Sequence, residues 1–423
     1  MTQNTTNPTV SVIGLGYIGL PTAAMLASRQ VNVIGVDINQ HAVDTVNRGA
    51  IHIVEPGLEN IVQSVIKEGW LRATTTPEPA DAFLIAVPTP FKGDHEPDLS
   101  YIQSAIKAIA PVLIPGNVVI LESTSPVGTT EQMVQWLSEL RPDLKLPLQG
   151  STDSDIYVAY CPERVLPGQV VRELVENDRI VGGINPISAE KAKNVYKLFV
   201  RGQLLETNAR TAEMSKLTEN AFRDVNIAFA NELSLICDKL QINVWELIGL
   251  ANHHPRVNIL QPGSGVGGHC IAVDPWFIVN KTPELAKIVR TAREVNDGKP
   301  EWVVSQIRSA VEHVTAKGIA EENVKIALFG LAFKPDIDDL RESPAVHIAE
   351  NVLTTFKCQI IMVEPYISQL PEALAKAKLV SASVAVETAD VVAILVKHSP
   401  FKELNIQGKK DQLLVDAVGL LEG

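Results

Sequence analysis

Cysteine is scarce in this chain. Cys161, Cys237, Cys270 and Cys358 are the whole supply in 423 residues, far apart and with no Cys-x-x-Cys pair. That spacing argues against a disulfide framework and against a zinc site, and it fits a reducing cytoplasm. Long apolar runs are missing as well. Residues 391–396, among the longest, have only the length of a strand, so no membrane helix is expected. Residues 1–9 are polar and lack a basic segment leading into an apolar one, so no secretory signal is expected either. Positive charge is not in excess: 37 Lys and Arg stand against 49 Asp and Glu, a formal net charge of −12. Such a balance disfavours a nucleic-acid-binding surface, although it leaves room for a local basic pocket around a phosphorylated small molecule. No low-complexity segment occurs.

What is present reads as a well-packed globular chain, 46% hydrophobic and 20% charged, long enough for two or three domains. Residues 10–13 form an apolar run that leads into Gly14-Leu15-Gly16-Tyr17-Ile18-Gly19 and then a stretch of helix formers over 22–28. A second strand over 31–36 ends at Asp37. Strand, glycine turn, helix and strand in this order give the Gly-x-Gly-x-x-Gly match its meaning as a dinucleotide-binding unit. Gly14, Gly16 and Gly19 serve the tight turn, the approach of pyrophosphate and helix packing. A carboxylate at Asp37, with no arginine directly after it, favours NAD over NADP.

Further strands are expected at 82–87, 118–122 and 156–160. Loops at the carboxyl ends of parallel strands line the ligand crevice, which makes the hydroxyls of Thr89, Thr124 and Thr130 candidates for ligand contact; capping of the next helix is the competing role. From 211 to 240 there is no proline or glycine. The pattern predicts a helix about 45 Å long that joins two domains and carries a dimer interface. Lys216, Asn220 and Arg223 fall at i, i+4 and i+7 on it, one polar stripe beside apolar neighbours. A third region, with strands expected at 324–329, 359–363, 391–396 and 413–416, reads as a second doubly wound sheet without the glycine fingerprint. The fold class is therefore α/β, two Rossmann-like doubly wound parallel-sheet domains joined by a long central helix and a helical middle region. The expected boundaries are 1–205, 206–312 and 313–423.

Between the helix and the last region lies Gly263-Ser264-Gly265-Val266-Gly267-Gly268-His269-Cys270, with Asp274 four residues on. Glycines let backbone approach a ligand closely, and a thiol held there can attack a carbonyl as its thiolate. A buried structural cysteine is the alternative reading. Beside a dinucleotide site, the thiol suits a two-stage oxidation: alcohol to aldehyde, capture of the aldehyde as a thiohemiacetal, oxidation to a thioester, and hydrolysis to a carboxylate. Lys216 and Asn220 suit the alkoxide and oxyanion stages; Asp274 and Glu163 suit the activation of water.

In five motifs in order the chain resembles the UDP-glucose/GDP-mannose dehydrogenase family along nearly its whole length. These are Gly14-Leu15-Gly16-Tyr17-Ile18-Gly19-Leu20-Pro21, residues 123–130 (Ser-Thr-Ser-Pro-Val-Gly-Thr-Thr), Lys216-Leu217-Thr218-Glu219-Asn220, Gly267-Gly268-His269-Cys270 and Gly330-Leu331-Ala332-Phe333-Lys334. Residues 160–168, 254–258 and 271–277 resemble the branch that oxidises UDP-N-acetylmannosamine to its uronate for surface polysaccharide. UDP-glucose, UDP-N-acetylglucosamine and GDP-mannose remain alternative substrates. A two-electron hydroxyacid or sugar-phosphate dehydrogenase would have no use for Cys270, and a nucleotide-binding module would show no turnover.

The resemblance implies that Cys270 is the nucleophile and Lys216 the acid/base group or alkoxide stabiliser, with Asn220, Asp274, Glu163 and Thr124 completing the catalytic set. It places Gly14, Gly16, Tyr17, Ile18, Gly19, Asp37, Thr89, Thr130 and Arg341 on NAD. Arg164, Val165, Lys216, Asn220, Arg223, His254, Arg256, Gly267, Phe333 and Lys334 would then hold the nucleotide sugar, whose phosphates arginines pair with bidentately. A homodimer or higher homo-oligomer is implied, with no nucleic-acid, membrane or metal partner. One departure stands out: the family loop reads Gly-Pro-Gly where this chain has Gly263-Ser264-Gly265. Serine frees the dihedral that proline fixes and restores an N–H, so altered loop mobility is expected without lost chemistry.

Overall fold

The computed structural model describes residues 7–421, except 94, 167, 269, 405 and 407–410. His269 and Pro167, which belong to two of the motifs, thus lie outside the described residues. The chain divides into two compact units after Glu219.

The first unit is built on eight strands: β1 (Thr9–Ile13), β2 (Asn32–Val36), β3 (Leu71–Thr74), β4 (Ala82–Ile85), β5 (Val118–Leu121), β6 (Tyr157–Tyr160), β7 (Arg179–Gly183) and β8 (Leu204–Asn208). Their order across the sheet is β8-β7-β6-β5-β4-β1-β2-β3. Every pairing is parallel except β6 with β7. The central strands β4 and β5 are apolar throughout because both faces are covered, and β1 departs from this only at Thr9 and the buried Ser11. Val12, Leu84 and Ile120 pack with Leu20 and Ala24 of α1 (Gly19–Ala27), while Phe83, Ile85 and Leu121 meet Met133 and Leu137 of α2 (Thr129–Leu140) on the other face. Gly14 takes φ +93° at the end of β1, and a side chain there would stand 2.5 Å from the Ala86 carbonyl. A side chain at Gly19 would strike the Gly14 carbonyl. The fingerprint turn therefore closes directly onto the helix.

Helix α3 (Ala209–Leu240) begins two residues before the expected start, where Asn208 Oδ1 accepts from Thr211 N at 2.9 Å. The second unit holds α4 (Asp274–Lys281), the 29-residue α5 (Lys287–Thr315) and α6 (Pro344–Thr355). Pro300 lies inside α5, a helix interior where proline is costly. Strands β9 (Lys325–Phe329), β10 (Gln359–Val363), β11 (Lys378–Leu379), β12 (Val391–Ile394) and β13 (Leu413–Asp416) form an all-parallel sheet in the order β11-β10-β9-β12-β13. Ile326 and Leu328 pack with Val303, Ile307 and Ile348 on one face; Ala327 and Phe329 pack with Ala385 and Phe401 on the other. Among the described residues no helix is long and apolar enough to cross a membrane.

Candidate active site

In the first unit the fingerprint turn forms a cradle. Asp37 follows β2, and its two oxygens accept from Leu15 N at 2.8 Å and Asn39 N at 2.9 Å. These two bonds leave part of the carboxylate's acceptor capacity for a ribose hydroxyl. Gly16 and Tyr17 are exposed and Ile18 half-buried. Helix α1 has neither a side-chain cap nor an acidic residue in its first turn. An anion is favoured at such a helix end, where amide N–H groups point outward. The cradle fits a dinucleotide pyrophosphate, and Asp37 fits the adjacent ribose.

The loops after β4 and β5 carry half-buried Thr89 and Thr124. Thr130 is fully buried, and its hydroxyl donates to Glu213 Oε1 at 2.6 Å. Glu213 also accepts from Thr130 N at 2.8 Å and Gly128 N at 2.7 Å, so a carboxylate from α3 caps the start of α2. Burial nevertheless raises the Glu213 pKa above 4.5, against these donors.

Residues 161–165 follow β6. Glu163 is buried, with no hydrogen-bond partner at Oε1, and burial raises its pKa while the Lys216 and Arg179 charges oppose the rise. Lys216 Nζ donates to the Glu163 backbone carbonyl at 2.7 Å. An ammonium has three donors, so two remain for a substrate oxygen. Arg164 pairs with Glu219 at 2.7 Å and donates to the Asp178 carbonyl at 3.2 Å. Val165 packs at the edge of the core.

Beneath this loop lies a cluster that the sequence did not reveal. Tyr196 OH donates to Glu122 Oε1 at 2.7 Å, and the buried Arg179 guanidinium lies 3.8 Å from the same oxygen. Burial pushes the neighbouring Cys161 thiol up to about 11. One sign was available: an arginine at the head of the run Arg-Ile-Val-Gly-Gly, where a cation that becomes buried needs a carboxylate.

In the second unit Asn220 Nδ2 donates to Asp274 Oδ2 at 2.5 Å. Cys270 is exposed, and its carbonyl accepts from Asp274 N at 2.8 Å and Val273 N at 3.1 Å, a turn that runs into α4. The Cys270 thiol and the Asp274 carboxylate are thereby held one turn apart. The preceding glycines have no room for side chains. At Gly268, with φ +81°, a Cβ would lie 2.9 Å from the Phe333 ring; at Gly267 it would meet Pro344 at 2.7 Å. The structure thus brings Phe333 to the cysteine loop, with Lys334 Nζ 5.8 Å from the Phe333 ring.

Ser264 is buried and donates its hydroxyl to the Leu395 carbonyl at 2.9 Å. Arg341 makes a two-pronged pair with Asp339, at 2.8 Å and 2.6 Å. Arg223, His254 and Arg256 are exposed, with Arg256 N donating to His254 Nδ1 at 3.3 Å.

Three further features were not read from the sequence. A buried polar chain on α3 and α5 includes Asp224, Asn231, Arg293 and Asn296. Lys299 is buried against Trp302, and burial pulls its pKa down to about 7. In the second sheet, Glu364 follows β10 as Asp37 follows β2. It accepts from Leu331 N at 2.7 Å, Ala332 N at 3.1 Å and Tyr366 N at 3.2 Å, and lies 3.0 Å from His398 Nε2.

Three family models match in sequence order: the NAD binding domain of the UDP-glucose/GDP-mannose dehydrogenase family over residues 8–200, its central domain over 210–298 and its UDP binding domain over 327–422. UDP-N-acetyl-D-mannosamine dehydrogenase of Escherichia coli is 61% identical, over 97% of this chain and 99% of that protein. NDP-N-acetyl-D-galactosaminuronic acid dehydrogenase of Ralstonia nicotianae is 60% identical, over 97% and 96%. Among solved structures, the UDP-D-ManNAc dehydrogenase of Pyrococcus horikoshii matches with a TM-score of 0.87 at 38% identity, covering 98% of this chain and 96% of that one.

Proposed function

The chain belongs to the UDP-glucose/GDP-mannose dehydrogenase family, whose members are NAD-dependent nucleotide-sugar dehydrogenases, and from that premise we propose a four-electron oxidation of UDP-N-acetyl-D-mannosamine at C6. The product is UDP-N-acetyl-D-mannosaminuronate, destined for surface polysaccharide. One observation carries the thiol route: Cys270 is exposed in a glycine turn whose next turn presents Asp274, itself bonded to Asn220.

When bound, NAD supplies the hydride acceptor for both oxidations. The fingerprint turn, the open end of α1 and Asp37 would hold it, with Tyr17, Ile18, Thr89 and Arg341 as further contacts, while Thr130, whose amide and hydroxyl both go to Glu213, would position its loop. Lys216, held through the Glu163 carbonyl, stabilises the alkoxide as the C6 hydroxyl loses its proton and C6 its hydride. The Cys270 thiolate adds to the aldehyde carbon and forms a thiohemiacetal, whose oxygen Lys216 and Asn220 stabilise. Loss of a second hydride leaves a thioester. Water, deprotonated by Asp274 or Glu163, displaces the thiolate and yields the carboxylate. Arg164, Arg223, His254, Arg256, Gly267, Phe333 and Lys334 hold the nucleotide sugar, and Thr124 belongs to the catalytic set. Arg164 and Arg341 would exchange their carboxylate partners for ligand oxygens.

The domains run 1–205, 206–312 and 313–423. The chain acts in the cytoplasm as a homodimer or higher homo-oligomer. Phe222, Phe229 and Ile236, exposed at 67%, 50% and 46%, recur every seven residues along α3 and support self-association there.

The test is NADH counted per sugar with limiting UDP-N-acetylmannosamine and excess NAD. Two equivalents support both the route and the substrate, and one removes the thioester stage. None, together with turnover of UDP-N-acetylgalactosamine, favours a substrate of the kind in the Ralstonia relative's name.

A further inference from the structure

Beside the Ser264 bond to Leu395, a buried side chain on α3 ties the root of the cysteine loop to the interior of the second unit. Asn231 is fully buried on α3, and its Oδ1 accepts from Gly263 N at 2.9 Å, where the glycine loop begins. Its Nδ2 donates to Asn296 Oδ1 at 2.8 Å on α5. Asn296 in turn donates to Asp224 Oδ1 at 2.8 Å, and Arg293 Nη1 donates to that oxygen at 2.7 Å. The chain runs from a buried ion pair through two amides to a backbone N–H of the loop that carries the nucleophile.

Direction matters in this chain. Each amide uses its oxygen on one side and its NH2 on the other, so the ion pair fixes which way Asn296 points, and Asn296 fixes Asn231. The Asn231 oxygen is thereby aimed at Gly263 N. Glycine backbone has no stiffness of its own, so a loop of this composition must be held at its root. We propose that Asn231, oriented through Asn296 by the Asp224–Arg293 pair, is the positioning residue that sets Cys270 for capture of the aldehyde. Asn231 touches no reacting atom. Its effect falls on the thiol stage and leaves the first oxidation largely intact.

This inference rests on the thiol route proposed above. The experiment uses the full-length enzyme with NAD and UDP-N-acetylmannosamine, and an aldehyde-trapping hydrazide to catch escaped intermediate. Asn231→Ala is expected to lower kcat on the order of tenfold, to bring NADH per sugar below two, and to release trappable sugar aldehyde, with the KM for NAD unchanged. Asn296→Ala, which leaves Asn231 in place but unoriented, gives the same partition in weaker form and serves should Asn231→Ala fail to fold. Val303→Ala, a core truncation on α5 away from the chain, lowers Tm without releasing aldehyde. Two NADH per sugar and no aldehyde from the Asn variants, or aldehyde from Val303→Ala as well, overturns the inference. Cys270→Ala separates the two claims: if it still yields two NADH per sugar, the thiol route itself has failed.

Discussion

Glu213 gives a prediction that can be worked through from geometry. Its carboxylate is fully buried and receives Gly128 N, Thr130 N and the Thr130 hydroxyl at 2.7, 2.8 and 2.6 Å. Glu213→Ala strands two amide donors at the start of α2, while the hydroxyl can rotate to a new acceptor. At ~1–3 kcal/mol for each stranded group the loss is about 4 kcal/mol, and in a unit of this size it lowers Tm by about 8–16 °C. Glu213→Gln keeps an acceptor but turns an NH2 toward a donor, so about 1–2 kcal/mol is expected. The pH dependence supplies an independent check. Burial raises this carboxyl's native pKa above 4.5. The native state therefore holds a proton that the unfolded chain releases, and this contribution is full below about pH 4.5 and lost as pH rises through the raised native value. Denaturant unfolding of wild type and Glu213→Gln across that window measures the slope. The wild type should lose stability relative to the Gln variant as pH climbs. A loss below about 1 kcal/mol for the Ala variant, or parallel slopes for wild type and Gln, would refute the reasoning.

Two further outcomes follow from buried groups in the second unit. Ser264→Ala removes the bond to the Leu395 carbonyl and should cost about 1 kcal/mol in chemical denaturation with turnover changed only a few-fold; a loss of several orders of magnitude would make the hydroxyl part of the chemistry. Lys299 has its native pKa lowered from 10.5 to about 7, so between those values the unfolded state binds the extra proton and stability rises with pH. Lys299→Met should flatten that rise in urea midpoints measured from pH 7 upward, and an unchanged slope would place the ammonium in a better solvated setting than the structure gives it.

The legible parts of the fold are those where burial is symmetrical. Residues 82–85 and 118–121, and residues 10–13 apart from Ser11, are apolar on both faces because helices cover both, so a hydrophobic run is enough to mark them. Edge strand β8, Leu-Leu-Glu-Thr-Asn with no fully buried position, leaves no such trace. Strand β7 is hidden for another reason: Arg179 and two glycines break the apolar pattern, and the arginine is there because Glu122 and Tyr196 wait beneath it. On α3 the expected stripe of Lys216, Asn220 and Arg223 holds only in part. Asn220 turns to Asp274, Arg223 faces outward, and the buried polar positions continue instead through Asp224 and Asn231, because α5 supplies partners along that line. Thr130 illustrates the limit of motif reading. The motif marks its loop, but only the fold reveals that Glu213, more than eighty residues later, takes up its hydroxyl.

The two sheets repeat one turn with opposite outcomes. Gly14 and Gly330 both leave their strands at positive φ, +93° and +89°, and each turn is followed across the sheet by an acid at the end of the neighbouring strand. Asp37 has two amide partners, whereas Glu364 has three amides and a histidine ring nitrogen. Three of the four partners fall on Oε2 and the carboxylate is buried, so the second acid is committed to its own turn, whereas the half-buried Asp37 is presented to a sugar hydroxyl. Topology alone would give this polypeptide two equivalent berths for a dinucleotide. The missing glycines of the second turn and the inward bonding of its acid both break that equivalence, so a shared architecture presents two chemically different turns.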